Sequence, residues 1–172
     1  KSMTISKEVK SILKKLEENK FEAFVVGGCV RDLLMGKEPT DWDITTNARP
    51  EEVQKIFPES FYENEFGTVG MKTDSENEIL KVVEVTTYRT ESKYTDKRHP
   101  DEIKFANKLE DDLKRRDFTI NAIAMNNDGK IVDPFDGQGD LKKKIVKAVN
   151  DAEERFSEDA LRMVRAIRLA TA

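Results

Sequence analysis

Phe24-Val25-Val26-Gly27-Gly28-Cys29-Val30-Arg31-Asp32-Leu33-Leu34-Met35-Gly36, followed after a short polar link by Asp41-Trp42-Asp43-Ile44, is the stretch around which the chain is organised. The apolar run before Gly27 reads as a buried strand. Neither glycine carries a Cβ, so the Gly27-Gly28 pair predicts a turn that lets backbone approach a ligand. A short helix over 30–35 follows, with Gly36 as its stop. Free N–H groups at a helix start attract anions, so a glycine turn opening a helix suits phosphate. On a strand, residues two apart share a face, which sends Asp41 and Asp43 one way and Trp42 the other. Two carboxylates on one face repel unless a hard cation sits between them, and Mg²⁺ takes oxygen ligands of this kind. Either half alone reads as a tight turn or a solvated acidic loop. Their succession about a dozen residues apart favours a site that handles both phosphate and metal over that plain reading.

Outward from that stretch, helical spacing of Val9, Ile12, Leu13 and Leu16 predicts an amphipathic helix over 7–19, with Ser6 as its N-cap. Pro50 suits the first turn of a helix that Pro58 stops. Strands are expected over 66–73 and 79–88, joined by the polar turn Asp74-Ser75-Glu76-Asn77. Residues 89–102 read as a mobile loop containing His99, to which no chemistry is assigned, and a short strand follows over 103–105. A helix is expected over 109–121, then a hairpin around Asn127-Asp128-Gly129. A two-glycine loop over 133–139, a short lysine helix, a strand over 145–149 and a final helix from Ser157 complete the reading. Strands and helices without regular βαβ alternation imply an α+β fold built on one mixed sheet.

One strand carries an anomaly. In Val82-Val83-Glu84-Val85-Thr86 a carboxylate interrupts an apolar run, on the face shared by Val82 and Thr86. A charge that discourages edge pairing is one reading. A third carboxylate facing Asp41 and Asp43 from a neighbouring strand is the other.

The chain has 172 residues, 37% of them charged with both signs interspersed, which fits one folded core better than disorder. No apolar run approaches a membrane span, no secretory h-region precedes a small-residue cleavage site in this sequence, and the lone Cys29 excludes an intrachain disulfide framework. These features predict a cytoplasmic protein. A net charge of −4 argues mildly against a broad nucleic-acid surface, although Lys142-Lys143-Lys144 and the arginines at 155, 162, 165 and 168 concentrate positive charge late in the chain.

Gly-Gly-x-x-Arg-Asp-x-Leu-x-Gly followed by Asp-x-Asp resembles the signature of the polymerase-β-like nucleotidyltransferases, and within them the class II group of tRNA CCA-adding enzymes and bacterial poly(A) polymerases. The resemblance implies a mixed-sheet head with flanking helices over residues 1–150 and the beginning of an α-helical neck over 151–172, the remainder of the neck being absent. It makes Asp41, Asp43 and Glu84 the catalytic, metal-ligating carboxylates of a two-Mg²⁺ site. Gly27, Gly28 and Arg31 would hold the triphosphate.

Two further motifs extend the likeness. Arg115-Arg116-Asp117-x-x-x-Asn121 by itself reads as a surface ion-pair patch on a helix. In the family it faces the nucleotide, with Arg116 near the phosphates and Asp117 and Asn121 reading the ribose. Asp159 and Arg162 share a helix face and by themselves read as an intrahelical salt bridge. In the family such a pair meets the Watson–Crick edge of the incoming base, and Arg165 and Arg168 contact the nucleotide or support the pair.

The implied reaction is untemplated transfer of CMP and AMP from CTP and ATP to the 3′ end of tRNA, by in-line attack of an RNA 3′-hydroxyl on the α-phosphorus. Poly(A) addition, or addition of CC or A alone, is the neighbouring alternative, and a non-catalytic nucleotide- or RNA-binding module a remote one. No membrane or DNA partner is expected. A head with this net charge is expected to bind nucleotide while holding tRNA weakly.

Overall fold

Val9, Leu13 and Leu16 lie fully buried along one side of α1 (Lys7–Glu18), as their spacing predicts. Each is worth about 1.5–3 kcal/mol relative to an exposed side chain. The computed structural model to which this helix belongs describes residues 4–63, 65–91 and 103–149. The chain continues through β1 (Ala23–Val26), α2 (Gly28–Leu34), β2 (Asp43–Thr46), α3 (Pro50–Ile56), β3 (Phe61–Tyr62) and β4 (Thr68–Lys72). After a 3₁₀ turn (Glu78–Leu80) come β5 (Val82–Thr87), β6 (Arg89–Glu91), β7 (Ile103–Phe105) and α4 (Leu109–Lys114). A second 3₁₀ turn (Thr119–Asn121) leads to β8 (Ala124–Met125), β9 (Ile131–Val132) and α5 (Gly137–Lys142).

Seven strands form one mixed sheet in the order β3-β4-β5-β2-β1-β8-β9, and β6 and β7 pair separately. Among the described residues only β2 and β5 run parallel, in a register that sets Asp43 beside Glu84 and Ile44 beside Val85. Alternation divides the sheet cleanly. One face carries Val25, Ile44, Val69, Met71, Val83 and Val85 into the main core with α1, α2 and α3. On the other face Val26 packs with Tyr88, Leu109 and Leu113 beneath α4. Further along that second face stand Asp43 and Glu84. The sequence-predicted mixed-sheet α+β class is the fold observed.

Several boundaries differ from expectation. The helix expected over 109–121 stops at Lys114, so Arg116 and Asp117 lie beyond it. The cause is Phe118, which is 1% exposed and bridges to Ala148, while the Thr119 N–H donates to the Lys147 carbonyl at 2.9 Å. Burying a phenylalanine and pairing backbone outweigh two more helical turns. The expected strand over 145–149 is reduced to that single bridge.

The predicted loop over 133–139 contains the start of α5, because the Asp133 carboxylate accepts from the Gly137 and Gln138 N–H groups at 2.7 and 2.9 Å. The expected strand over 79–88 begins only at Val82, and the one over 66–73 only at Thr68, preceded by an unforeseen β3. At the edges of the predicted mobile loop, Arg89–Glu91 and Ile103–Phe105 pair as strands. Ser6 stands at the N-cap of α1 without a capping side-chain bond. The final helix, His99, Asp159, Arg162, Arg165 and Arg168 lie outside the described residues.

Candidate active site

Gly27 sits between β1 and α2 with φ +83° and ψ −140°, backbone that side chains other than hydrogen rarely adopt. A Cβ there would stand 3.5 Å from Arg116 Nη1 and 3.8 Å from the Asn121 carbonyl oxygen, so these two residues lie directly against the turn. Gly28 opens α2, with Arg31 one turn on; a Cβ at Gly28 would meet Arg31 Nη2 at 3.4 Å. Gly36, at φ +72°, follows the helix as its expected stop.

A polar chain fixes this end of the sheet. Arg31 Nη1 donates to Asn121 Oδ1 at 2.8 Å, and its Nε and Nη2 approach Asp32 Oδ1 at 3.4 and 3.3 Å. Asn121 Nδ2 in turn donates to Asp117 Oδ1 at 3.3 Å, an oxygen that also accepts from the Phe118 N–H at 2.7 Å. Six of the sequence-predicted nucleotide residues, Gly27, Gly28, Arg31, Arg116, Asp117 and Asn121, therefore meet in one place from two separate parts of the chain.

Arg116 links that cluster to a carboxylate that the sequence reading missed. Asp112 is fully buried on α4. Its Oδ2 accepts from Arg116 Nη2 at 2.9 Å, and its Oδ1 from Arg115 Nε and the Arg89 N–H, both at 3.2 Å. Burial alone would raise the Asp112 pKa, but the Arg115 and Arg116 guanidiniums overturn that and hold it at about 2.

The acidic side of the site lies across Asp43 and Glu84. Asp43 begins β2; Asp41 precedes the strand and is exposed, and Trp42 between them is buried in the main core. Burial raises the Asp43 pKa, with the Arg116 and Arg115 charges opposing and the Asp41 and Glu63 charges reinforcing the rise. Glu84 is pushed up to about 7 by partial burial, a hydrogen bond with Glu63 and the negative charges of Asp43, Glu63 and Asp41. Four carboxylates thus feel one another.

Glu63, just past β3, is the member without a sequence signal: it reaches Glu84 only because β3 and β4 pair and bring it to the open edge. Cys29 beneath this region is buried, bonded to the Val26 carbonyl at 3.3 Å, and its thiol is raised to about 11 by burial, so it packs rather than reacts.

The donor set suits a hard divalent cation. Its atoms are carboxylate oxygens, and its crowded charge resists ionisation without a cation between. Among the described residues no three carboxylates close into a finished cage. Mg²⁺ does not need one, since it is held by one or two carboxylates with substrate phosphates completing the shell. A surface groove of about 960 Å³ beside α1, whose lining includes Lys7, Ile12, Phe57 and Met71, contains none of these residues. Charge and convergence locate the site.

Comparison with known proteins shows what the whole chain is similar to. The family description "Poly A polymerase head domain" matches residues 23–147. The CCA-adding enzyme of Lactobacillus delbrueckii subsp. bulgaricus is 54% identical over 158 residues, covering 91% of this chain and 39% of its own length. The crystal structure of Bacillus stearothermophilus CCA-adding enzyme in complex with CTP superposes with a TM-score of 0.82 at 43% identity, over 94% of this chain and 38% of that one. A tRNA nucleotidyltransferase complexed with a primer tRNA and an incoming ATP analog gives 0.70 at 32% identity, over 92% and 44%. The chain spans about two fifths of the length of the curated relatives it matches.

Proposed function

The chain belongs to the poly A polymerase head domain family, and from that premise we propose that it is the catalytic head of a tRNA nucleotidyltransferase adding C and A to tRNA 3′ ends. The observation that carries the reading is the meeting of Asp43, set beside Glu84, with Arg116, which lies against the Gly27–Gly28 turn. Phosphate-binding donors and metal-binding acceptors thereby face one another across a few side chains. Relatives to which this chain is similar are CCA-adding enzymes, one of them solved in complex with CTP.

In this reading the glycine turn, Arg31 and Arg116 hold the triphosphate, whose oxygens suit the guanidinium fork. Asp117 and Asn121 take the ribose. Asp41 and Asp43, with Glu84, hold Mg²⁺, which when bound supplies charge neutralisation at the reacting phosphate and lowers the pKa of the attacking hydroxyl. Asp159 and Arg162 select the base, supported by Arg165 and Arg168. Catalysis by the protein is positioning and electrostatics, with no covalent enzyme intermediate. Residues 1–150 are taken as the head and 151–172 as the beginning of the neck, in a cytoplasmic enzyme. Among the described residues no helix is long and apolar enough to cross a membrane.

The test is incubation of the protein with Mg²⁺, tRNA lacking its terminal CCA, and each labelled nucleoside triphosphate singly and together. Incorporation of C, then A, and little U or G supports the reading. Long runs of A point to a poly(A) polymerase, and transfer of none or of all four alike overturns it.

A further inference from the structure

Asp112 is a carboxylate with no exposed surface, and one of its donors, Arg116, lies against the Gly27 turn. Arg115 and Arg116 follow it at helical spacing, and the Arg89 N–H belongs to the first residue of β6. A buried ion pair is a poor way to gain stability alone, because packed apolar side chains of like volume serve as well or better. Its value lies in direction. The guanidinium is a rigid planar fork, so fixing Nη2 fixes where Nη1 points.

In Arg116, Nη2 is held by Asp112 at 2.9 Å while Nη1 lies against the Gly27 turn, 3.5 Å from where a Cβ would stand. Among the described residues Arg116 Nε is buried and has no hydrogen-bond partner, so the Asp112 tie is what orients this side chain at its inner edge. Without it, one elongated cation would have many rotamers and only some would meet the turn.

We infer that Asp112 is a positioning residue for nucleotide phosphate: it grips the inner edge of the Arg116 fork and so presents the outer edge to a triphosphate lying over Gly27 and Gly28. This rests on the reading that Arg116 meets the triphosphate. The same carboxylate fixes Arg115 and the start of β6, so it sets the arginines and that strand in one frame. The role was illegible in the sequence, where Glu110-Asp111-Asp112 reads as a run of helix-surface acids.

The test measures CTP affinity in Mg²⁺, with thermal melting alongside, for Asp112→Asn, Arg116→Ala, Arg116→Lys and the Asp112→Asn/Arg116→Ala double variant. Asp112→Asn keeps the shape but offers an amide N–H to donors that need an acceptor. Its CTP affinity is expected to fall roughly tenfold, the value of one charge-assisted hydrogen bond. Arg116→Ala falls at least as far, and the double variant no further, because Asp112 acts through Arg116.

Arg116→Lys keeps the charge but cannot be gripped at one edge and reach with the other, so it is expected to lose most of the affinity. That variant decides the matter even where Asp112→Asn melts too low to measure. A lowered melting temperature with unchanged CTP affinity in Asp112→Asn, full additivity in the double variant, or full affinity in Arg116→Lys each overturns the role. Unchanged affinity in Arg116→Ala removes the triphosphate reading itself, and the role of Asp112 with it.

Discussion

Asp43 and Glu84 stand opposite one another in the parallel pairing of β2 and β5, and the charge of Asp43 helps push the Glu84 carboxyl up to about 7 from its ordinary 4.5. Parallel strands put the two on one face without an intervening residue, and Glu63 and Asp41 add negative charge from either side. The arrangement costs the free protein something that a cation can return.

That cost has a pH signature. Between 4.5 and about 7 the folded protein holds a proton on Glu84 that the unfolded chain has released, so folding stability falls as pH rises through this window. In the absence of divalent metal the melting temperature is expected to decline across it, and Glu84→Gln to flatten the decline. Added Mg²⁺ should raise the melting temperature more above the window than below it. Asp112 works in the opposite sense: its lowered pKa contributes stability above 3.8 that is lost as pH falls toward about 2, well clear of the Glu84 window. Melting curves with and without Mg²⁺ across pH check both, and identical slopes in wild type and Glu84→Gln count against the assignment.

Asp43→Asn separates metal binding from folding. The amide matches the carboxylate in shape and removes a charge that burial disfavours, so the metal-free protein should melt no lower than wild type. Nucleotide transfer should drop by on the order of a hundredfold or more, since a neutral oxygen is a weak Mg²⁺ ligand. The Mg²⁺-dependent rise in melting temperature should vanish with it. Wild-type turnover in this variant would remove Asp43 from the metal site.

The local signals in the sequence were the ones that carried through. Gly27-Gly28, the Asp41-Trp42-Asp43 alternation and the parity of Glu84 are properties of a few adjacent residues, and all three stand as read, apart from Asp41 lying just before its strand. What escaped was tertiary. The helix expected through Asn121 is broken by Phe118, whose burial against Ala148 depends on chain thirty residues away. Glu63 reaches Glu84 only through the pairing of β3 and β4, and Asp112 looks like its exposed neighbours until the arginines fold back on it. Register and burial decide such cases, and neither is written in a window of sequence.

Base choice is expected to reside in Arg162. A guanidinium donates to an unprotonated ring nitrogen while Asp159 accepts from the exocyclic amine beside it, a Watson–Crick-edge pattern that C and A share and that U and G, with a protonated ring nitrogen there, do not. Arg162→Ala should blur the preference for CTP and ATP over UTP and GTP while the triphosphate contacts proposed for Arg31 and Arg116 persist. Competition among the four labelled nucleotides measures it. An equal loss for all four would mark the pair as a helix salt bridge.

Gly27→Ala and Gly28→Ala should fail in different ways. At Gly27 the backbone sits at φ +83° and ψ −140°, so any Cβ is strained there at a cost of about 1–3 kcal/mol, whatever room exists beside it. Gly28 is already helical, and its added Cβ would meet only the movable end of Arg31 at 3.4 Å. Alanine there gains up to about 1 kcal/mol of helix propensity, offset by the displacement of a guanidinium. The first variant should therefore melt several degrees lower. The second should melt near wild type but bind CTP more weakly, because Arg31 would be nudged from Asn121, to which it donates at 2.8 Å. Thermal melts paired with CTP titration distinguish the two. Loss of stability in Gly28→Ala with intact affinity would mean that Arg31 braces the fold and does not hold the phosphates.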